Sequence, residues 1–208
     1  MSEKQIAGLG ILANLLFWPL MFALAATRPD YSHLHQAVSE LGALRAPHMW
    51  VWNMLGFVTP GVLMAAFGWN LVRRLRPHSR IAAALLALAG VSIAFAGVFP
   101  ADMDDRQGLT TTLHLLGASG SLFAWAPGML VVAFIASKVR PDIAIASVLA
   151  LVAMIGSFWL YGPLSETPAL VQRVTFGVFF GWYLCVALLL LMIRRPLTIS
   201  ETIVAGSA

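Results

Sequence analysis

Cysteine and charge are what this chain has least of. One cysteine, Cys185, occurs in 208 residues, which excludes an intrachain disulfide, a thiolate metal cluster and a redox pair. Lying in an apolar run, it reads as a small buried hydrophobe. Asp and Glu together number 9, and all charged residues make up 11% of the chain, too little to cover a soluble domain of this length. No His-Glu-x-x-His zinc signature, internal repeat or low-complexity segment is present. What fills the chain instead is apolar: 60% hydrophobic residues, arranged in separated stretches at Ile6–Ala26, His48–Val72, Ile81–Phe99, Thr110–Ser137, Ile143–Gly162 and Val171–Ile193. Such stretches match the roughly 20 helical residues that cross a hydrocarbon layer about 30 Å thick. The sequence therefore specifies an all-α polytopic integral membrane protein, one domain over residues 1–208 built as a six-transmembrane-helix bundle. The first stretch retains Asn14 and Pro19 and lacks a small-residue cleavage site, so it is expected to stay as a helix and not to be removed as a signal peptide. The tail 196–208 is expected to be disordered.

The 13 basic residues partition by side. Lys4, Arg73, Arg74, Arg76, Arg80, Lys138, Arg140, Arg194 and Arg195 fall on one face, and Arg28, Arg45, Arg106 and Arg173 on the other. The positive-inside rule then places both termini in the cytoplasm and the chain in the inner or plasma membrane. The formal net charge of +4 follows from that topology. The Arg73–Arg80 loop is expected to touch anionic headgroups, with membrane lipids as partners and nucleic acid excluded. The outer side collects Asp30, Glu40, Asp102, Asp104, Asp105 and Glu166 together with His33, His35, His48 and His114, against Glu3, Asp142, Glu201 and His78 inside. Any chemistry belongs to the outer face.

The longest connection joins the first two helices. Within it Leu34, Ala37, Val38 and Leu41 recur at helical spacing, Ser32 is placed to cap and Gly42 to terminate. A short helix along the outer interface is predicted, with His33, Gln36 and Glu40 on its polar side and Ser39 near its edge. Trp50, Trp52, Trp159 and Tyr161 sit where amphipathic rings anchor at headgroup depth. Pro60 and Pro127 are expected to kink their helices. Gly117 with Ser121, and Gly177 with Gly181, are small residues four apart and read as close-packing seams, which also leave room for an oligomer.

Six residues near the outer rim are candidate ligand-binding residues: Ser39, Glu40, Asn53, Asp102, His114 and Arg173. Thr110, Thr111 and His114 share one face about a turn into the bilayer. An ionisable group at that depth marks either a site or a hydrogen bond between helices. Arg173, in the first turn of the last helix, would snorkel to the headgroups or pair with a carboxylate such as Glu40, Asp102 or Glu166. Asn53 is expected to face protein and bridge helices.

Ser39-Glu40-Leu41-Gly42 before the second helix, Gly97-Val98-Phe99-Pro100-Ala101-Asp102 after the third, His114-Leu115-Leu116-Gly117-Ala118 in the fourth and Gln172-Arg173 opening the sixth resemble, in order and spacing, the bacterial and archaeal membrane proteins grouped as domain of unknown function 998 (DUF998). The resemblance covers nearly the whole chain. It implies a six-helix integral membrane protein and no established reaction. A weaker likeness, through the Pro-containing loop and the His-x-x-Gly-Ala pattern, is to eukaryotic DRAM-like membrane proteins linked to lipid and vesicle biology. Their first loop is also polar, and their fuller motif is absent here.

Three functions are compatible with these residues. The first is an outward-facing polar pocket lined by Glu40, Asp102, His114 and Arg173 that binds or transports a lipid headgroup or small polar molecule, zwitterionic or hydroxylated. The second is a metal-dependent intramembrane lipid hydrolase using Asp102, His114 and His33 or His35 as ligands and Glu40 as base. The third is a non-catalytic membrane scaffold. A triad on Ser39 lacks the nucleophile-elbow pattern, a haem carrier lacks paired deep histidines, and an ion channel lacks a polar track between the two rims.

Overall fold

The computed structural model describes residues 1–193; the tail 196–208, with Arg194, Arg195 and Glu201, lies outside the described residues. Six helices are long and apolar enough to cross a membrane: α1 (Glu3–Ala26), α2 (Met49–Leu75), α3 (Arg80–Val98), α4 (Leu109–Ala136), α5 (Pro141–Trp159) and α6 (Pro168–Met192). No strand occurs among the described residues. The apolar stretches read from the sequence thus correspond one to one with helices. Capping extends α1 beyond the apolar run: the Ser2 hydroxyl accepts from Gln5 N at 3.3 Å and the Gln5 side chain accepts from Ser2 N at 2.8 Å, a reciprocal box that satisfies two otherwise orphaned amides.

Consecutive helices pack as neighbours and α6 returns against α1, so the six form a closed ring. Glycines let the ring tighten on one side. A Cβ on Gly61 would lie 2.5 Å from Ala94 N, and one on Gly117 would lie 2.7 Å from both Ala96 N and Ser92 O. The α2–α3 and α3–α4 backbones therefore touch directly, the approach that small residues permit in lipid. The Gly177 and Gly181 seam expected on α6 differs: a Cβ at either meets nothing within 4 Å. Ring closure against α1 and α5 uses other faces of α6, and these two glycines line shallow outer surfaces beside Trp18 and Cys185, which is exposed there and not the buried hydrophobe expected.

Aromatic side chains occupy the centre. Phe17 stacks on Phe180 at 4.1 Å and contacts Trp52, Phe57 and Phe176; deeper, Trp182 meets Trp125 and Tyr183 edge to face and Phe179 lies tilted against Trp125 and Tyr183. Trp50, Trp159 and Tyr161 are exposed as interface anchors should be, whereas Trp52 is fully buried. Two helical residues apart are turned about 200° from one another, so Trp50 and Trp52 cannot both face lipid, and the second became core. Asn14 donates from α1 to Phe180 O of α6 at 3.1 Å, and Trp182 Nε1 donates to Ser147 Oγ of α5 at 3.1 Å. Pro60 is met by local unwinding: Asn53–Val58 is a π-helical turn immediately before it, which absorbs the missing N–H and the ring's clash with the preceding turn. Pro127 lies inside an uninterrupted α4.

Candidate functional site: the capped rim and the recess beneath it

The connection from α1 to α2 does not form the predicted interfacial α-helix. It folds as an irregular strap with one 3₁₀ turn, Val38–Gly42. The Ser32 end turns back on itself through Gln36, whose amide donates to Ser32 O at 2.9 Å. Ala37 is extended (φ −63°, ψ 150°), which breaks the helical register. Val38 and Leu41 are buried as the periodicity required, but Leu34 is exposed. The helical signal was outcompeted because this segment's polar groups find partners on other elements.

Those partners include the candidate residues. Arg173 is 9% exposed and its guanidinium fans out over the strap: Nη2 donates to Tyr31 Oη at 2.6 Å, Nη1 to Gln36 O at 2.9 Å and to Ala169 O at 2.9 Å, and Nε to His33 Nδ1 at 3.3 Å. Among the described residues no carboxylate lies within ion-pair distance of it. Next to it, Gln172 Oε1 accepts from Val38 N at 2.8 Å. Glu40 caps its own turn, accepting from Ala37 N at 2.9 Å, while Arg28 donates to Glu40 O at 2.9 Å and lies over the Tyr31 ring. Ser39 is half-buried in the same turn. Burial pushes the Tyr31 phenol up, against the opposing pull of Arg173; burial, and then the Arg173 charge, push the His33 imidazole down. A neutral His33 is the acceptor that Arg173 needs.

The strap continues over α2 to the α3–α4 connection. Asn53, 1% exposed, donates to Gly42 O at 2.8 Å, Leu44 N donates to Ala101 O at 2.8 Å, and Arg45 pairs with Asp104 at 2.8 Å in full solvent. Asp102 organises its own loop: Oδ1 accepts from Asp104 N at 3.0 Å and Asp105 N at 3.3 Å, and its amide donates to Thr111 Oγ1 at 2.8 Å. His114, 5% exposed, places Nδ1 at 2.9 Å from Ala96 O and 3.1 Å from Phe99 O. Carbonyls only accept, so Nδ1 carries a proton, and His114 closes the C-terminal end of α3 from the neighbouring helix. At the other edge His35 Nδ1 stands 3.0 Å from Glu166 O.

The candidates thus divide into two groups joined by the strap. Arg173, Glu40 and Ser39 lie on the α6 side, Asp102 and His114 at the α3–α4 junction, and Asn53 between them. Tyr31 and Gln172 complete the first group and Thr111 the second, partners that the sequence reading did not single out as site residues. Among the described residues no three of His, Cys, Asp and Glu come close enough to hold a metal ion.

Between the strap-side halves of α4, α5 and α6 lies a half-open recess of about 270 Å³. Buried Ser121 and Thr175 and half-buried Gln172 are its inner polar lining, exposed Ser119 stands at its edge, and Leu115, Leu122, Phe158, Tyr161, Phe176 and Phe179 are its apolar and aromatic lining. Thr175 and Ser157 share a hydrogen bond at 3.2 Å, and Ser121 donates to Ala118 O at 2.6 Å. Leu115 and Phe158 are exposed at its mouth, so it opens sideways at membrane depth. None of its hydroxyl residues was singled out in the sequence as a site residue, because Ser and Thr in apolar helices ordinarily bond to their own backbone. The one available signal is their clustering near the same rim on three successive helices.

Ring, strap and recess define a multi-pass helical membrane protein whose polar groups gather at one rim. The family model described as "Protein of unknown function (DUF998)" matches residues 11–189, and the chain belongs to that family. No curated protein and no solved structure matches it.

Proposed function

We propose that this protein binds a neutral, hydroxyl-bearing lipid laterally in the recess between α4, α5 and α6, and that the capped rim faces the outside of the inner or plasma membrane. The recess carries the reading. Its polar lining offers hydroxyls and an amide without formal charge, the rest of its lining is apolar and aromatic, and its mouth opens at membrane depth; this is the composition of a site for an amphipathic ligand. Gln172 ties the recess to the strap, since one end of its amide holds Val38 N while the NH₂ end has no partner among the described residues and is left for a ligand. Arg173, Glu40, Asn53, Asp102, His114 and Ser39 then act by holding the strap and the α3 end over the site. Binding is favoured over transport because Trp125, Phe179 and Trp182, all buried, close the centre below the recess. The hydrolase reading draws no ligand set from the described residues.

Replacing Ser119, at the exposed edge of the recess, by Phe should obstruct its opening. In purified protein, diacylglycerol should raise the unfolding temperature of the wild type and lose most of that effect in Ser119→Phe, with the unliganded stability little changed. An equal diacylglycerol response in both proteins would refute the recess as the site.

A further inference from the structure

At the opposite rim, a recess of about 320 Å³ lies where α2 and α4 end, lined by Leu75, Arg76, Phe134, Ile135, Ser137 and Lys138. Arg76 directly follows α2 in extended backbone (φ −150°, ψ 99°), which swings its side chain away from the helix axis. Arg76 and Lys138 are exposed, and neither side chain forms a hydrogen bond or ion pair with any of the described residues. The apolar wall runs on to Phe134, 75% exposed on the outer surface of α4.

Two cations beside two helix C-termini have an ordinary explanation, neutralising the negative ends of the helix dipoles. At the end of α2 that role is already filled by Arg73, which donates to Pro77 O; the nearby Arg140, at the start of α5, is spent on Leu189 O of α6 and on Asp142. Asp142 is consumed by that pair at 2.6 Å, and among the described residues no carboxylate lines the recess. What is left is a concave site with two unengaged cations at its head and an apolar slot running toward the hydrocarbon.

We propose that this recess binds the phosphate of an anionic phospholipid, with Arg76 and Lys138 on the phosphate and an acyl chain along Phe134. Cationic clusters at a membrane rim attract anionic lipid in general; the slot adds a fixed seat. It is independent of the neutral-lipid recess at the capped rim.

The test uses purified full-length protein in detergent, with phosphatidylglycerol, phosphatidylcholine and inorganic phosphate as probes. Phosphatidylglycerol is expected to raise the unfolding temperature by several degrees, phosphatidylcholine and inorganic phosphate by much less. The double variant Arg76→Gln/Lys138→Gln is expected to lose more than half of the phosphatidylglycerol shift, while Arg106→Gln at the other rim retains it. Should the double variant be too unstable, each single variant is scored by native mass spectrometry for retained phosphatidylglycerol, with at least a twofold drop expected. An unchanged shift or retention in the variants would overturn the proposal. So would an equal response to phosphatidylcholine, and an equal response to inorganic phosphate would overturn the lipid assignment. If the cations served only the helix ends, the variants would lose stability equally with and without lipid.

Discussion

Arg173 carries more of the cap than any other side chain, and its contacts explain why a lysine would not serve. Its fork reaches Tyr31, His33, Gln36 and its own helix at Ala169; an ammonium is a single point and cannot hold that spread. Arg173→Lys is expected to lower stability by roughly 2–3 kcal/mol, from charge-assisted bonds lost and buried acceptors left unpaired, measured by unfolding in mixed micelles. His33 gives the cap a pH dependence. Its folded-state pKa is held below the ordinary 6.5, so the unfolded chain takes up a proton that the folded one resists. The contribution is complete above about pH 6.5 and is lost as pH falls below it. Thermal unfolding across that window should show wild type losing stability on acidification more steeply than His33→Gln; parallel curves would remove His33 from the account. The sequence marked Arg173 but offered it only the headgroups or a carboxylate. Charged partners can be seen in a sequence, whereas the carbonyls of Gln36 and Ala169 are common to every residue and become special only through the fold.

Among the elements, the glycine seams divide into used and unused. Gly61 faces the α3 backbone, and Gly117 does likewise from α4, whereas Gly177 and Gly181 face nothing within 4 Å. Gly117→Val should cost roughly 1–3 kcal/mol through overpacking, while Gly177→Ala and Gly181→Ala should be neutral or stabilise by up to about 1 kcal/mol through helix propensity. The ranking is checked by unfolding the three variants side by side. Spacing alone could not separate Gly117–Ser121 from Gly177–Gly181, since each has small residues four apart; which face of a helix meets a neighbour is decided by ring order. The strap shows the same limit. Its apolar periodicity placed Val38 and Leu41 in the core, but bonds from Gln172, Asn53 and Ala101 imposed a 3₁₀ turn where local propensity favoured a helix. The spans themselves were legible because hydrophobic length is a local property set by bilayer thickness.

For the whole molecule, the proposed topology has one decisive consequence. With Cys185→Ala as background, a cysteine introduced at Asp105 should react with a membrane-impermeant maleimide in intact cells, and one at Ser137 only after lysis; the reverse pattern would invert the orientation. The two ends of the bundle were legible from the alternation of the spans, and the recess was not, because its Ser and Thr residues converge only when α4, α5 and α6 are side by side.

The strap's anchors also dictate an order of events. Gln36 meets Arg173 across 137 residues of chain, so the 31–36 end of the first loop has no Arg173 to fasten it until α6 is in place, whereas its 42–45 end already has α2 and the α3–α4 connection. Nascent chains halted before α6 should therefore show the 31–36 end open to a protease while the 42–45 end is already protected.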